Sequence, residues 1–301
     1  MATYFLNADT GDNANDGSEG SPWLTIAKAH TEATSGDTII CQDSTATYTW
    51  GSQTFSKALT IQGEQDDGSG AVFDAGAGNI TWTFNANIII SRLTFQNIVN
   101  ASGWPGLLFS LGADSVSFEM NLCKFQNLAV GGRNGFNSHG LVGTTAGRTG
   151  CTVKFERNTL LPTIKSSNSG LGTGGFYFNL RNCTNTTLII RSNTFSIGNF
   201  TGEEQMERII EITSAAGSTV DLRNNIIYSV ETQAVQIISG FAALASYQFT
   251  NNCYYTTGAA FTQVPTTGSN NITSDPLFVD IASDNYNLRP SSPCIDTGAL
   301  L

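Results

Sequence analysis

The chain has 301 residues and a formal net charge of −10, and only 13% of its residues are charged. Its 14 Lys and Arg residues, against 24 Asp and Glu residues, exclude the strongly basic surface that binding to nucleic acid requires. A hydrophobic content of 40% argues against disorder, and no apolar run reaches the ~20 residues needed to cross a membrane.

The N-terminal segment lacks the features of a secretory leader, because neither a basic stretch nor an apolar stretch follows Met1. We therefore expect a chain without a signal peptide. The polar loop that comes next contains Asp9, Asp12 and Asp16, within the sequence NADTGDNANDG. Their oxygen atoms suit Ca²⁺, although the spacing differs from that of an EF-hand loop. The alternative is a set of Asx turns without a metal, and the sequence favours it.

A short amphipathic helix is predicted over 22–34. Ser21 is its expected N-cap, Pro22 occupies the first helical position, and Gly36 follows its end. Its apolar face comprises Trp23, Ile26, Ala27, His30 and Ala33. We expect this face to cover the end of the core, with His30 packed inside rather than binding a ligand.

One pattern recurs along the rest of the chain: apolar, any residue, apolar, two polar residues, Asn, any residue, apolar. Its good copies begin at Val116, Val153, Leu188, Val220 and Tyr247. Looser copies begin at Ile39, Leu59 and Ile88. Runs with a period of two predict strands, and a repeated strand–corner–strand unit predicts stacked coils. The expected fold class is therefore all-β, a single parallel β-helix of about eight coils with an N-terminal capping helix.

Stacked coils place equivalent residues about 4.8 Å apart along the rod. We therefore predict an interior file that comprises Phe118, Phe155, Ile190, Leu222 and Phe249. The corner residues are predicted to form a structural ladder that comprises Asn121, Asn158, Asn193, Asn225 and Asn252.

The chain is expected to form one continuous domain with three parts. Residues 1–36 supply the N-terminal strand, loop and capping helix, 37–258 the coils, and 259–301 a C-terminal cap. The longest excursions from the repeat are 128–150 and 162–185, and variable loops on a rigid scaffold are where ligand sites tend to lie.

The same alignment predicts two columns of outward-facing side chains, in which Glu119 lies next to Glu156 and Glu156 next to Arg191. Lys154 falls in the second column. If the protein is an enzyme, these four residues are the candidate catalytic group. Paired carboxylates suit a glycosidase, and Lys154 with Arg191 suits the proton abstraction of a lyase. The alternative, which we favour, is an ion-pair ladder of Glu156 with Arg191 and Lys154 with Glu119.

Three further residues beside glycines are candidates for carbohydrate binding: Trp104, Arg133 and His139. An exposed Trp can stack on a sugar ring, and the alternative is an anchor that packs a loop on the rod. His139 is a candidate catalytic group as well, although a lone His in a Gly-rich loop is more often simply exposed.

The six cysteines stand far apart, at positions 41, 123, 151, 183, 253 and 294. We interpret them as small buried side chains rather than as disulfides. A zinc site is disfavoured because the chain has only two histidines.

Two segments carry a resemblance to a known family. The opening contains YFLNADTGDNANDGSEGSPWLTIAKAH and SGDTIIC, and residues 275–299 are DPLFVDIASDNYNLRPSSPCIDTGA. Both resemble the ends of right-handed parallel β-helix proteins of the pectate-lyase-like superfamily. That superfamily includes polysaccharide lyases, glycoside hydrolases, and phage tailspike and virion proteins. The Asn-Thr-Asp, Asp-Asp, Gly-His-Gly and Arg-Ile-Lys blocks of its pectin hydrolases are not matched here.

We therefore predict a non-catalytic structural or glycan-binding protein, with a phage virion surface as the favoured setting, as a capsid decoration or spike-like protein. The alternative is a polysaccharide lyase or glycoside hydrolase, with Ca²⁺ as the one cofactor considered. Expected partners are other virion proteins or a cell-surface polysaccharide, not nucleic acid or a membrane. The expected location is the virion surface or the extracellular space, and related rods often form homotrimers.

Overall fold

The computed structural model describes most of the chain. The described ranges are 1–66, 69–76, 80–99, 107–129, 140–144, 147–161, 175–198, 206–213, 215–231, 234–240, 244–266 and 268–298. Trp104, Arg133 and His139 lie outside them, so the carbohydrate-binding roles of these three residues stay predictions.

Three parallel sheets, here named A, B and C, run along the rod. Sheet A comprises β1 (Thr3–Leu6), β2 (Thr38–Cys41), β5 (Leu59–Gly63), β8 (Ile88–Ser91), β11 (Ser117–Asn121), β14 (Thr152–Glu156), β17 (Thr187–Arg191), β20 (Thr219–Arg223) and β23 (Ser246–Thr250). Sheet B comprises β3 (Tyr48–Thr49), β6 (Val72–Asp74), β9 (Thr94–Val99), β12 (Lys124–Ala129), β15 (Thr159–Leu160), β18 (Thr194–Ile197), β21 (Ile226–Ser229) and β24 (Cys253–Thr256). Sheet C comprises β4 (Gln53–Phe55), β7 (Trp82–Phe84), β10 (Leu107–Leu111), β13 (Gly140–Gly143), β16 (Gly175–Arg181), β19 (Met206–Thr213) and β22 (Gln236–Ser239).

Successive strands visit the sheets in the order A, B, C from β2 to β22, and each strand pairs in parallel with its equivalents in the coils before and after. The predicted parallel β-helix is therefore confirmed. Every predicted repeat start lies in or directly before a strand of sheet A.

In each central coil, one residue with left-handed backbone dihedral angles makes the turn from sheet A to sheet B. These residues have φ between 54° and 59°, and they are Arg92, Leu122, Arg157, Ser192, Asn224 and Asn251. Left-handed backbone costs an L-residue roughly 1 kcal/mol unless it is Gly or Asn, so Arg92, Leu122 and Arg157 are held there by the strands on either side.

The residue after each later corner belongs to a continuous amide ladder, which comprises Asn158, Asn193, Asn225, Asn252 and Asn271. Each side-chain oxygen accepts the backbone N–H of the equivalent residue in the preceding coil, at 2.8–3.0 Å. Each side-chain amide donates to a strand carbonyl of the preceding coil, at 2.8–3.0 Å. The predicted ladder is confirmed for four members, and Asn271 is an additional one.

Asn121 is not part of the ladder, and this corrects the predicted alignment. Asn121 lies opposite Glu156 on the outer face, and Cys123 takes the ladder position, where its N–H donates to Asn158 at 2.9 Å. The predicted copy was displaced by two residues. Because side chains alternate with a period of two, such a displacement leaves every apolar residue facing inward, so the hydrophobic pattern does not reveal it.

Because of the same two-residue displacement, one member of the predicted interior file is different. The file next to the ladder contains Met120 in place of Phe118, and it is otherwise as predicted. Phe118 lies in the neighbouring file, between Ile88 and Val153, and is fully buried.

The N-terminal end is closed by a shorter helix than predicted, α1 (Ile26–Glu32). Its N-cap is Thr25, whose side chain accepts the N–H of Lys28, and not Ser21. Residues 22–24 are not helical because Trp23 bonds the main chain of Phe5 and Asn7 at the rod end, at 2.9 and 3.0 Å. Ile26 faces the core as expected, but Ala29 takes the buried position predicted for Ala27, which is exposed because the helix begins later than predicted.

His30 is packed against neighbouring side chains, as predicted. Its ring lies edge-on to Phe55 and accepts the N–H of Ser56 at 3.2 Å. Burial, together with the charge of Lys57, lowers the pKa of His30.

The C-terminal end is closed by residues 259–266 and 268–274, which continue the coil path. Thr262 bridges to Gln236, and Ile272 bridges to Cys253. The following segment turns back along sheet B as a hairpin of β25 (Phe278–Asp280) and β26 (Asn285–Leu288), joined by a 3₁₀ turn at Ile281–Ser283. Among the described residues, no helix has the length and apolar composition to cross a bilayer.

Candidate functional site

The outer face of sheet A carries the four residues predicted as a catalytic group. Strand pairing places Glu119 directly opposite Lys154, and Glu156 directly opposite Arg191. Glu119 and Glu156 are therefore not direct neighbours, contrary to the predicted columns, because of the same two-residue displacement.

Each carboxylate on this face is matched with a cation. Lys154 Nζ lies 3.7 Å from Glu119 Oε2, and Arg191 Nη1 lies 3.8 Å from Glu156 Oε1. The structure shows the ion-pair ladder that the sequence favoured, and the catalytic role of the four residues stays a prediction.

Asp221 is the centre of this ladder, and the sequence analysis did not single it out. It lies on the next strand and binds the guanidinium groups of both Arg191 and Arg223, with Arg223 Nε at 2.6 Å. Burial raises the pKa of Asp221, but the hydrogen bonds from Arg223 and Arg191 outweigh it and hold the pKa below its usual value. The signal in the sequence is the spacing, because Asp221 stands two residues before Arg223 on the same outward face of β20.

The three aspartates proposed as Ca²⁺ ligands each cap a separate stretch of backbone. Asp9 accepts the N–H groups of Thr45 and Ala46, at 2.7 and 2.9 Å. Asp12 and Asp16 each accept the N–H of the residue two positions later, in Asx turns. Among the described residues, no group of three or more His, Cys, Asp or Glu side chains is placed to hold a metal. The calcium site stays a prediction.

A groove on the outer face of sheet B is a further candidate site in the described part of the chain. Its volume is about 630 Å³. It is lined by Asp66, Ser69, Val72, Thr94, Leu122, Cys123, Lys124, Gln126, Arg157, Thr159, Leu161, Asp284, Asn285, Tyr286 and Asn287. We call this surface the sheet-B groove.

The floor of the sheet-B groove is a column of outward-facing residues on successive coils. Val72, Thr94, Lys124 and Thr159 are direct neighbours across the parallel strands. Gln126 donates to Gln96 of the preceding coil at 2.7 Å. The floor therefore offers hydroxyl and amide groups around one ammonium group.

The end wall of the groove comes from the C-terminal hairpin. Tyr286 places its hydroxyl 2.9 Å from Ser196 Oγ on sheet B, and its ring packs edge-on against Phe278. Phe278 in turn packs against Tyr228. The hairpin thus covers sheet B over the later coils.

Two cations face the groove without a carboxylate partner among the described residues. Lys124 lies half-buried in the floor, and Arg157 is exposed at the corner between sheets A and B. The lining also contains two acidic residues. Asp66 at the rim has its own cation, since Arg92 Nη1 lies 3.6 Å from its carboxylate, and Asp284 belongs to the C-terminal hairpin. Lys124 was not predicted from the sequence because it lies on the second strand of its coil, whereas the outward-facing columns were aligned on the first.

Comparisons with known proteins agree with this architecture. No curated protein matches the chain. A family described as "Disaggregatase related" matches residues 187–298.

Solved structures give matches over most of the length. A rhamnogalacturonan lyase matches with a TM-score of 0.50 and 11% identity, over 94% of this chain and 92% of its own. The pectate lyase Pel9A matches with a TM-score of 0.44 and 13% identity, over 99% and 92%. A GH136 lacto-N-biosidase from Eubacterium ramulus matches with a TM-score of 0.41 and 9% identity, over 91% and 67%. The chain has the right-handed parallel β-helix fold of the pectate-lyase-like proteins.

Proposed function

We propose that the chain is a carbohydrate-binding protein that holds an acidic glycan in the sheet-B groove. The observation that carries the proposal is the contrast between two faces of the rod. On sheet A, Lys154 and Arg191 are bound to carboxylates, whereas Lys124 and Arg157 face the groove without a carboxylate partner in the described ranges.

The lining of the groove supports a sugar ligand. Sugars are bound by side chains that donate and accept hydrogen bonds in a partly apolar cleft, and Thr94, Gln126 and Thr159 supply such groups. Tyr286 adds an aromatic ring at the end wall. The solved structure with the same fold and a TM-score of 0.50 is a lyase named for the polysaccharide rhamnogalacturonan, which also supports this class of ligand.

The charge of the groove supports an acidic sugar. A chain with a net charge of −10 repels polyanions unless cations are concentrated locally. Lys124 and Arg157 supply such cations, beside Asp284 and the Asp66 carboxylate that is paired with Arg92. A guanidinium group pairs with a carboxylate through two parallel hydrogen bonds.

The test is affinity electrophoresis and titration calorimetry of the full chain with polygalacturonate and with a neutral galactan. We expect binding of polygalacturonate alone. Lys124→Ala and Arg157→Asn should each weaken it about tenfold, since charge-assisted hydrogen bonds contribute about 1.5–3 kcal/mol. Asn is chosen at position 157 because it accepts left-handed backbone.

Lys154→Ala is the matched control, because it removes the same charge from a different face. Equal binding of the neutral polymer, or an equal loss with Lys154→Ala, would overturn the proposal of an acidic glycan in this groove.

The alternative function is a polysaccharide lyase or glycoside hydrolase, and the name of the rhamnogalacturonan lyase supports the first of these. The same mixtures, followed for new reducing ends and for the absorbance of unsaturated uronates, with and without Ca²⁺, distinguish catalysis from binding. Product formation would establish an enzyme.

We also propose a phage particle as the setting, with other virion proteins or a cell-surface polysaccharide as partners. The support is a surface rich in Ser, Thr, Asn and Gly on a rod whose coils are all hydrogen-bonded to each other. Antibodies raised against the purified chain should label intact particles, and light scattering would test the homotrimer.

A further inference from the structure

A row of polar side chains runs across three strands of sheet B into the sheet-B groove. Asp74, Gln96 and Gln126 are direct neighbours on β6, β9 and β12. Gln96 Nε2 donates to Asp74 Oδ2 at 2.9 Å, and Gln126 Nε2 donates to Gln96 Oε1 at 2.7 Å. Gln126 also lines the groove. We call this row the amide relay.

Asp74 fixes the direction of the amide relay, because an ionised carboxylate accepts hydrogen bonds and cannot donate them. Its two oxygens also accept the N–H of Gly76 at 2.8 Å and the Nδ2 group of Asn97 at 2.7 Å. Burial raises the pKa of Asp74, but these hydrogen bonds and the one from Gln96 outweigh it and hold the pKa below its usual value. The carboxylate is therefore ionised at neutral pH, and Gln96 must turn its NH₂ group toward it.

The direction set by Asp74 decides which end of Gln126 faces the groove. Gln96 has its NH₂ group on Asp74 and presents its oxygen to Gln126. Gln126 must then use its NH₂ group for Gln96, so its own oxygen is left as an acceptor, with no donor to it among the described residues. Leu161, whose N–H donates to the carbonyl of Phe125 at 2.9 Å, also lines the groove and has an apolar side chain.

The groove therefore combines one oriented acceptor with a cation. Lys124 stands two residues before Gln126 on the same outward face of β12, which places their Cα atoms about 6.6 Å apart. A uronate sugar carries hydroxyl groups on the same ring as its carboxylate, so it can use both contacts. An acceptor of this kind selects a hydroxyl donor, because an ester in its place would set an oxygen without a proton against the amide oxygen.

We propose that the amide relay makes the sheet-B groove specific for uronate sugars with free hydroxyl groups, so that O-acetylated uronates are rejected. Gln126 is the residue that determines this specificity, and Asp74 and Gln96 are positioning residues that act through it. The inference rests on the proposed binding of an acidic glycan in this groove, and it adds which chemical form of that glycan is bound.

The test compares polygalacturonate with chemically O-acetylated polygalacturonate, which keeps its carboxylates, by titration calorimetry of the full chain. We expect the acetylated polymer to bind about tenfold more weakly, because it leaves the oxygen of Gln126 unpaired. Gln126→Leu should weaken binding of the free polymer about tenfold and leave that of the acetylated polymer unchanged. If the ratio of the two affinities stayed as in the unmodified chain, acetyl groups would be excluded by their bulk and the role of Gln126 would be overturned.

Asp74→Asn tests the positioning role, because an amide at position 74 can donate to Gln96 and allow the whole relay to reverse. The ratio of affinities should fall toward one, and Gln96→Leu, which interrupts the relay, should have the same effect. Asp12→Asn is the matched control: Asp12 Oδ1 accepts the N–H of Ala14 at 2.9 Å in the same kind of turn that Asp74 forms with Gly76, and the same charge is removed. An unchanged ratio in both relay variants would overturn the positioning role.

The same titrations separate failure of this inference from failure of the proposed function. If the unmodified chain bound both polymers equally and Lys124→Ala weakened both, the glycan would still lie in the groove and the selection of free hydroxyl groups would be overturned. If the unmodified chain bound neither polymer, the proposed function would be wrong, and this inference with it.

Discussion

The side-chain oxygen of Asn193 accepts both the backbone N–H and the side-chain amide of Asn158, at 2.8 and 3.1 Å. Asn193 also donates to the carbonyl of Phe155 at 2.8 Å and is 1% exposed. One side chain therefore satisfies polar groups of two coils that water does not reach.

Replacement of Asn193 by Ala should accordingly destabilise the rod by about 3 kcal/mol or more, because several buried groups lose their partners. The free energy of unfolding in urea measures this cost. Asn121→Ala is the control, and we expect a change within about 0.5 kcal/mol since Asn121 lies on the outer face. If the two variants lowered the free energy of unfolding by similar amounts, Asn121 would belong to the ladder, as predicted from the sequence, and the register of β11 described above would be wrong.

Asn193 and Asn121 also show which part of the fold could be predicted from the sequence and which part could not. The ladder from Asn158 to Asn252 was predictable because Asn recurs at the same position of each apolar repeat, and such a recurrence can be read from the sequence alone. The register of β11 was not, because a shift by two residues preserves the inward face. The sheet-B groove was not predicted, for another reason. Tyr286 at its end wall is far in sequence from Lys124, and only the C-terminal hairpin, which turns back along sheet B, brings the two residues together.

Leu122 should be a site where a more polar residue stabilises the fold. Its φ of 54° is left-handed, which Asn adopts at lower cost than Leu. Leu122→Asn should therefore raise the free energy of unfolding by about 1 kcal/mol. The reverse exchange at the equivalent corner, Asn224→Leu, should lower it by a similar amount. Thermal and urea unfolding of both variants check the sign, and a loss of stability in Leu122→Asn would contradict it.

Asp221 should make the stability of the rod depend on acid pH. Its pKa is lower in the folded chain than its ordinary value of 3.8, so it binds a proton less readily when folded. Its stabilisation is therefore present above the unfolded pKa and is lost as the pH falls through the folded pKa.

Asp221→Asn should cost about 2 kcal/mol at pH 7, since two charge-assisted interactions with arginine are weakened. The difference from the unmodified chain should shrink below about pH 4. Unfolding free energies at a series of pH values measure both. Asp12→Asn serves as the control, because an amide oxygen can still accept the N–H of Ala14, and no comparable cost is expected. A cost for Asp221→Asn that is unchanged at low pH would contradict the ionic origin of the effect.

Glu156 allows the catalytic hypothesis for sheet A to be separated from binding in the sheet-B groove. Its carboxylate lies 3.8 Å from Arg191 and is partly exposed, so Glu156→Ala should change stability by less than about 1 kcal/mol. It should leave the affinity for polygalacturonate unchanged, because the groove is lined by Lys124 and Arg157 and not by Glu156. If the chain proves to cleave a polysaccharide, the same variant gives the deciding rate: unchanged turnover would exclude Glu156 as a catalytic residue, and a hundredfold loss with intact binding would place the chemistry on sheet A.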